Sequence, residues 1–194
     1  MREQSERLSR LPTYVFARLD TLKNQARAKG VDLIDLGMGN PDLPPPRAVI
    51  DAMIKALEDG AHHRYPSFDG LPAFTKAVSV WMDRQYGVSI DPVKEVVPLI
   101  GSKEGLVHFS LAYLNPGDTT LVPLPAYPAH FRGPILANAS PIVLPTHERS
   151  NFIPDLRLID ENIARRAKLF YLSYPTNPTA ATAPREFFEE AVAF

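Results

Sequence analysis

From Glu95 onward, short apolar runs alternate with segments of helical period, and this alternation restricts the fold more than any other feature of the chain. "EVVPLI" (95–100), "TTLVPL" (119–124), "PIVL" (141–144) and "KLFYLS" (168–173) have the length and apolar content of strands. "SKEGLVHFSLAYL", "PAHFRGPILANA", "LRLIDENIA" and "PREFFEEAVAF" carry helical patterning between and after them. Such a chain is expected to fold as an α/β domain, a largely parallel sheet in three layers with flanking helices. Parallel sheets are buried on both faces, which accounts for the almost unbroken apolar character of "KLFYLSYP".

The upstream half reads differently. Val15, Phe16, Leu19, Leu22 and Ala26 recur at helical spacing, and Gly30 stops that run. "LIDLGMGNPDLPPP" (33–46) reads as a short strand breaking into a proline-stiffened loop. "RAVIDAMIKALEDG" is a second helix, with Val49, Ile50, Met53, Ile54 and Leu57 as an expected buried stripe. After the loop "HHRYPSFDG", Asp69 is placed to cap a helix from Leu71 to Tyr86 that Gly87 closes. The expected organisation is an N-terminal arm and small-domain segment over residues 1–44, then the first part of a larger domain over 45–194.

Composition excludes several classes of function. A net charge of -1 gives no support for nucleic-acid or membrane-surface binding. The absence of cysteine excludes disulfides and thiolate metal sites. The five histidines show no metal-ligand spacing, so no metal is expected. The N-terminus mixes Glu3 and Glu6 with arginines and has no apolar core of a secretory signal. No stretch approaches the roughly 20 apolar residues that span a bilayer, and a cytoplasmic location is the expectation. The 20 prolines sit at segment ends and act as punctuation.

In an open α/β sheet, ligands bind beyond the carboxyl ends of the strands. Three strand-end loops qualify. In "IGSKEG" (100–105), Gly101 permits close backbone approach, Ser102 offers a hydroxyl, Lys103 a positive charge, and the helix start unpaired N–H groups. It reads as a phosphate cradle or as an ordinary helix start. In "VPLPAYPAHF" (122–131), Tyr127 is held between Pro125 and Pro128, either to stack on a flat ring or to pack at the sheet edge. In "YPTNPTAA" (174–181), Asn177 presents both a donor and an acceptor, for a ligand or for a structural turn.

Taken in series, "LGMGNPDLPPP", "YPSFDGLPAFTKAV", "IGSKEGLVHFSLAYLNPGDTTLVPLPAYP" and "YPTNPTAA" resemble the N-terminal half of class I/II aminotransferases, pyridoxal-phosphate (PLP) enzymes of fold type I. The likeness runs from about residue 11 to the last residue, and is greatest to bacterial LL-diaminopimelate aminotransferase-like enzymes. It implies that Gly101, Ser102 and Lys103 lie against the cofactor phosphate, that Tyr127 stacks on the pyridine ring, and that Asn177 hydrogen-bonds the ring's phenolic oxygen. Tyr65 would reach the phosphate of a neighbouring subunit, implying a homodimer. Gly39 would lie beside the substrate carboxylate. Leu124–Pro125 and Asn177–Pro178 become candidates for cis peptide bonds, and Ala180 stands where the family usually has glycine.

The same resemblance implies what the 194 residues do not hold. The family's Schiff-base lysine, its pyridine-pairing aspartate and its carboxylate-clamping arginine belong to the later half of the pattern, and no "SxSK"-like segment occurs here. Lys103, at the phosphate end, is a poor substitute. The expectation is an aminotransferase for an amino acid and a 2-oxo acid, present as a fragment inactive alone. The alternatives are a non-catalytic truncated remnant and a fold-type-I PLP lyase.

Overall fold

The computed structural model describes residues 4–37, 39 and 41–194. In chain order the described helices are α1 (Glu6–Ser9), α2 (Val15–Ala28), α3 (Arg47–Glu58), α4 (Pro72–Tyr86), α5 (Ser102–Tyr113), α6 (Pro128–Leu136), α7 (Glu161–Arg166) and α8 (Arg185–Ala193). The strands are β1 (Thr119–Leu124), β2 (Ser140–Pro145) and β3 (Ala167–Phe170). Two compact units result: Tyr14–Pro98, and Met1–Thr13 together with Leu99–Phe194.

The unit Tyr14–Pro98 is built from α2, α3 and α4. Gly30 leaves α2 at a φ of 77°, and Gly87 ends α4 in the left-handed region at 66°. Asp69 does not cap α4. Leu71 takes the N-cap position without a side-chain bond, and Pro72 opens the first turn, where its missing N–H costs nothing. The apolar stripe of α3 is present but not buried: Met53 is 62% and Leu57 60% exposed. Periodicity sets which face of a helix is apolar, and burial also needs a facing element, which no described part of this unit provides.

Two expected strands do not form. Residues 33–37 and 95–100 have no ladder, and Met38 and Asn40 of the first stretch lie outside the described residues. A strand exists only through hydrogen bonds to a neighbour, and none of the described segments pairs with either stretch. Leu36 and Ile100 are accordingly 91% and 92% exposed.

The unit that holds α5 to α8 carries the sheet. Its order is β2-β1-β3, all parallel. Thr119 faces Ser140 on one side and Ala167 on the other, with a register shift on the β3 side between Thr119 and Thr120. Leu121 and Val122 of β1 are wholly buried, each worth roughly 1.5–3 kcal/mol by removal from water. Helices α5 and α6 pack closely where Gly133 meets Ser110; a Cβ on Gly133 would stand 2.5 Å from the Ser110 Oγ. Arg10 donates to the Asn138 Oδ1 at 3.2 Å, and Arg132 to the Pro12 carbonyl at 3.0 Å, tying the N-terminal stretch to α6. The α/β architecture with a parallel sheet and flanking helices is the one expected from the alternation. The Leu124–Pro125 and Asn177–Pro178 bonds are cis, as the resemblance implied, and so is Tyr174–Pro175, which had not been anticipated.

Candidate functional site

Beyond the carboxyl ends of β1 and β3 lies a narrow hollow of about 10 Å³. Tyr127 and His130 of the β1–α6 connection line it, together with Phe152, Tyr171, Tyr174 and Thr176. Tyr127 reaches this place because it is the N-cap of α6, directly after the sheet, with Pro128 opening the helix. His130 follows one turn later, so the two rings meet edge to face at 5.9 Å.

A chain of contacts holds the Tyr127 ring. His130 stacks on Tyr171 at 5.3 Å, and the Tyr171 hydroxyl and the Ser110 hydroxyl are hydrogen-bonded at 2.8 Å. Ser110 also donates to the Leu106 carbonyl, so the contact chain ends within α5. Burial pushes the His130 pKa below its usual value. It pushes the Tyr171 hydroxyl upward, with the Ser110 hydrogen bond working in the opposite direction. Both rings are thereby kept neutral.

Gly101, Ser102 and Lys103 form the start of α5, all exposed. Gly101 sits at a φ of 85°, with nothing within 4 Å of the place a Cβ would occupy. No side chain caps the helix, so its first N–H groups face outward. The Lys103 Nζ stands 5.8 Å from the Tyr127 ring centroid, which brings the first and second strand-end loops together.

The third loop reaches the hollow through Thr176. Its Oγ1 is buried and has no hydrogen-bond partner. Its backbone closes a tight turn, with Thr176 N–H donating to the Ala181 carbonyl at 2.9 Å and Ala180 N–H to the Thr176 carbonyl at 2.7 Å. Ala180 holds a φ of 58°, which explains why glycine suits that position. Asn177 is exposed and is not among the residues lining the hollow. Tyr65, fully exposed, and Gly39, also exposed, belong to the unit Tyr14–Pro98.

Sequence reasoning missed His130, Phe152, Tyr171, Tyr174 and Thr176. The spacing of Tyr127 and His130, three apart at a helix start, could have signalled the first. Phe152 gives no local signal: it lines the hollow because Tyr174 donates to its carbonyl at 2.9 Å and Asn151 to the Thr182 carbonyl at 2.8 Å. No group of three or more potential metal ligands occurs among the described residues. A larger cavity, about 500 Å³, lies elsewhere, between Ile153–Arg157 and α8.

A helix start with free N–H groups and a lysine above a half-buried ring, beside an unpartnered hydroxyl beyond the strand ends of a parallel sheet, are suited to a flat anionic ligand. The sheet and its flanking helices are those of aminotransferases. Substrate-bound BacF from Bacillus subtilis matches the whole chain with a TM-score of 0.92 and 35% identity over 49% of its own length. A probable N-succinyldiaminopimelate aminotransferase from Thermus thermophilus matches 93% of the chain and 48% of its own, with a TM-score of 0.85 and 40% identity. The LL-diaminopimelate aminotransferase of Halothermothrix orenii is 48% identical over 99% of this chain. The sequence model of the family "Aminotransferase class I and II" matches residues 31–194, and the chain belongs to that family. It spans about half the length of the relatives it matches, 49% in the Halothermothrix case.

Proposed function

We infer that this chain provides the cofactor-binding part of a PLP-dependent aminotransferase that moves an amino group between an amino acid and a 2-oxo acid. LL-Diaminopimelate is the first amino donor to try, because it is the substrate in the name of the Halothermothrix relative. One observation carries the reading: the Lys103 ammonium lies over the Tyr127 ring at the uncapped start of α5, so an anion site and a ring-stacking surface adjoin.

The described residues fit the group. Gly101 leaves space where a side chain would stand, and Thr176 has an orphaned buried hydroxyl in the hollow. The α5 N–H groups, the Ser102 hydroxyl and Lys103 bind the phosphate. Tyr127 covers one face of the pyridine ring, its tilt held by His130. Asn177 donates its amide to the ring's phenolic oxygen. When bound, PLP supplies an electron sink for charge that develops at the substrate Cα. Gly39 presents backbone to the substrate carboxylate, and Tyr65 reaches the phosphate of the partner in a homodimer working in the cytoplasm. Residues 1–44 serve as arm and small-domain segment, and 45–194 as the first part of the PLP domain.

No lysine lines the hollow. The 194-residue polypeptide alone is therefore expected to bind PLP reversibly and to transfer no amino group, which is also what a remnant would do. The test is a PLP titration followed by absorbance, with Tyr127→Ala and Asn177→Ala as variants, beside an amino-transfer assay on a protein that includes these residues and the family's lysine. Each substitution is expected to weaken PLP binding at least about tenfold, a loss of about 1.4 kcal/mol. Unchanged binding in both variants sinks the site. Elimination without transfer would favour a lyase.

A further inference from the structure

We propose that Lys23 and Asp35 are positioning residues for the substrate carboxylate, because their ion pair pins to α2 the stretch that leads into Gly39. The inference deepens the reading above and rests on its assignment of Gly39.

Little else holds that stretch. Among the described residues, none makes a backbone-to-backbone hydrogen bond with residues 32–37. Apolar burial does not hold it either: Ile34 is 81% and Leu36 91% exposed. The attachment comes from one carboxylate. Asp35 accepts from the Lys23 Nζ at 2.9 Å through Oδ2, and from the Gly37 N–H at 3.0 Å through Oδ1. Each oxygen is thus engaged, one by α2 and one by the backbone of the loop, and both bonds are strengthened by charge.

The pair differs from the other ion pairs described in the unit Tyr14–Pro98. Arg47–Asp51 lies within α3, and Lys23–Asp20 within α2 at the longer distance of 3.7 Å, whereas Lys23–Asp35 crosses from helix to loop. The Lys23 side chain is also largely covered, with 15% of its surface exposed against 78% for Arg47. A covered ammonium is screened less by water and salt than an exposed one. Their hydrogen bond raises the pKa of Lys23 and lowers that of Asp35, so each keeps the other ionised.

Gly37 completes the clamp. A Cβ there would stand 3.2 Å from the Asp35 Oδ1 and 3.6 Å from the Lys23 Nζ, so the two charged groups close over the glycine. Gly39 is two residues further on, within about 7 Å along the chain. Fixing Gly37 therefore confines the Gly39 backbone. A substrate carboxylate then meets a peptide group already placed and does not have to order it on binding.

Two readouts separate the clamp from the Gly39 assignment. In the 194-residue chain, Asp35→Ala should speed hydrogen exchange at the Gly37 amide at least about tenfold and Lys23→Gln at least about threefold, with Lys23→Arg restoring most of the protection. PLP titration of the Lys23 variants should stay within about twofold of the unaltered chain, because Lys23 is not among the cofactor residues. In a protein that also includes the family's lysine, Lys23→Gln should raise the KM for the amino acid at least about fivefold and change kcat less than about twofold. Lys23→Arg should recover that KM, and Gly39→Ala should raise it. Gly37 exchange indifferent to Lys23→Gln overturns the proposal. So does an unchanged KM in Lys23→Gln beside a raised KM in Gly39→Ala, which leaves the Gly39 assignment standing. An unchanged KM in both variants removes the Gly39 assignment and the proposal together.

Discussion

The His130 imidazole lies flat against the Tyr171 ring, with centroids 5.3 Å apart and planes 23° from parallel. Tyr171 in turn bonds Ser110, so one packed column joins the strand end to α5 and supports the half-buried Tyr127. The column stands on uncharged rings. Its chemistry is therefore sensitive to protons.

Burial lowers the pKa of His130 from an unfolded value of about 6.5. Above that value the ring is neutral in both states and contributes no pH dependence. As pH falls through it, the unfolded chain takes up a proton that the folded chain refuses, and stability declines until the folded pKa is passed. Urea midpoints should be flat between about pH 7 and 8 and fall below about 6.5. His130→Phe keeps a stacked ring and should remove that part of the fall. An identical profile in the variant would assign the dependence to another group.

Ala180 holds a φ of 58°, a left-handed conformation in which its Cβ crowds the backbone. Ala180→Gly should relieve this and raise stability by about 0.5–1 kcal/mol, after the added freedom of the unfolded glycine is subtracted. Thermal unfolding measures it. A lower midpoint would mean that the turn between Thr176 and Ala181 is not the one described.

Gly133 is a point of close approach between α5 and α6. An added Cβ would meet the Ser110 Oγ at 2.5 Å, the Ser110 Cβ at 3.2 Å and the Leu106 carbonyl at 3.4 Å. Gly133→Ala should force the helices apart and cost about 1–3 kcal/mol, despite alanine's better helix propensity. Because Ser110 bonds Tyr171, the variant should also alter the near-ultraviolet signal of the tyrosines. Gly133→Ala combined with Ser110→Ala removes the closest contact and should recover part of the loss.

The Thr120 hydroxyl is fully buried in the central strand and has no hydrogen-bond partner. Thr120→Val keeps shape and β-branching and removes the unsatisfied group, so it should stabilise by about 1–2 kcal/mol. A destabilised variant in denaturant titration would show that the hydroxyl does find a partner in solution.

Legibility followed the range of the forces involved. Helices α2 to α6 and α8, the three strands and the glycine at the end of α4 could be read from local sequence, because apolar period and positive φ act within a few residues. The start of α5 at 101–103 and the ring at 127 were legible for the same reason: each stands where helical patterning begins, although only the second follows a formed strand. Asp69 misled because α4 begins at Pro72 with Leu71 as its N-cap, which leaves Asp69 two residues too early to reach the first N–H groups. The segments at 33–37 and 95–100 misled because strand composition states only a readiness to pair.

By itself the sequence determined the alternation of strand and helix, the glycine and proline punctuation between them, and the kinship with aminotransferases, all properties of neighbours along the chain. Only the tertiary structure decided that β1 lies between β2 and β3, that Lys103 stands over Tyr127, and that His130, Tyr171 and Ser110 form one column. It also decided which apolar faces are buried and which remain open to water. These depend on contacts between residues tens of positions apart, where chain connectivity imposes no distance and packing alone selects the partner.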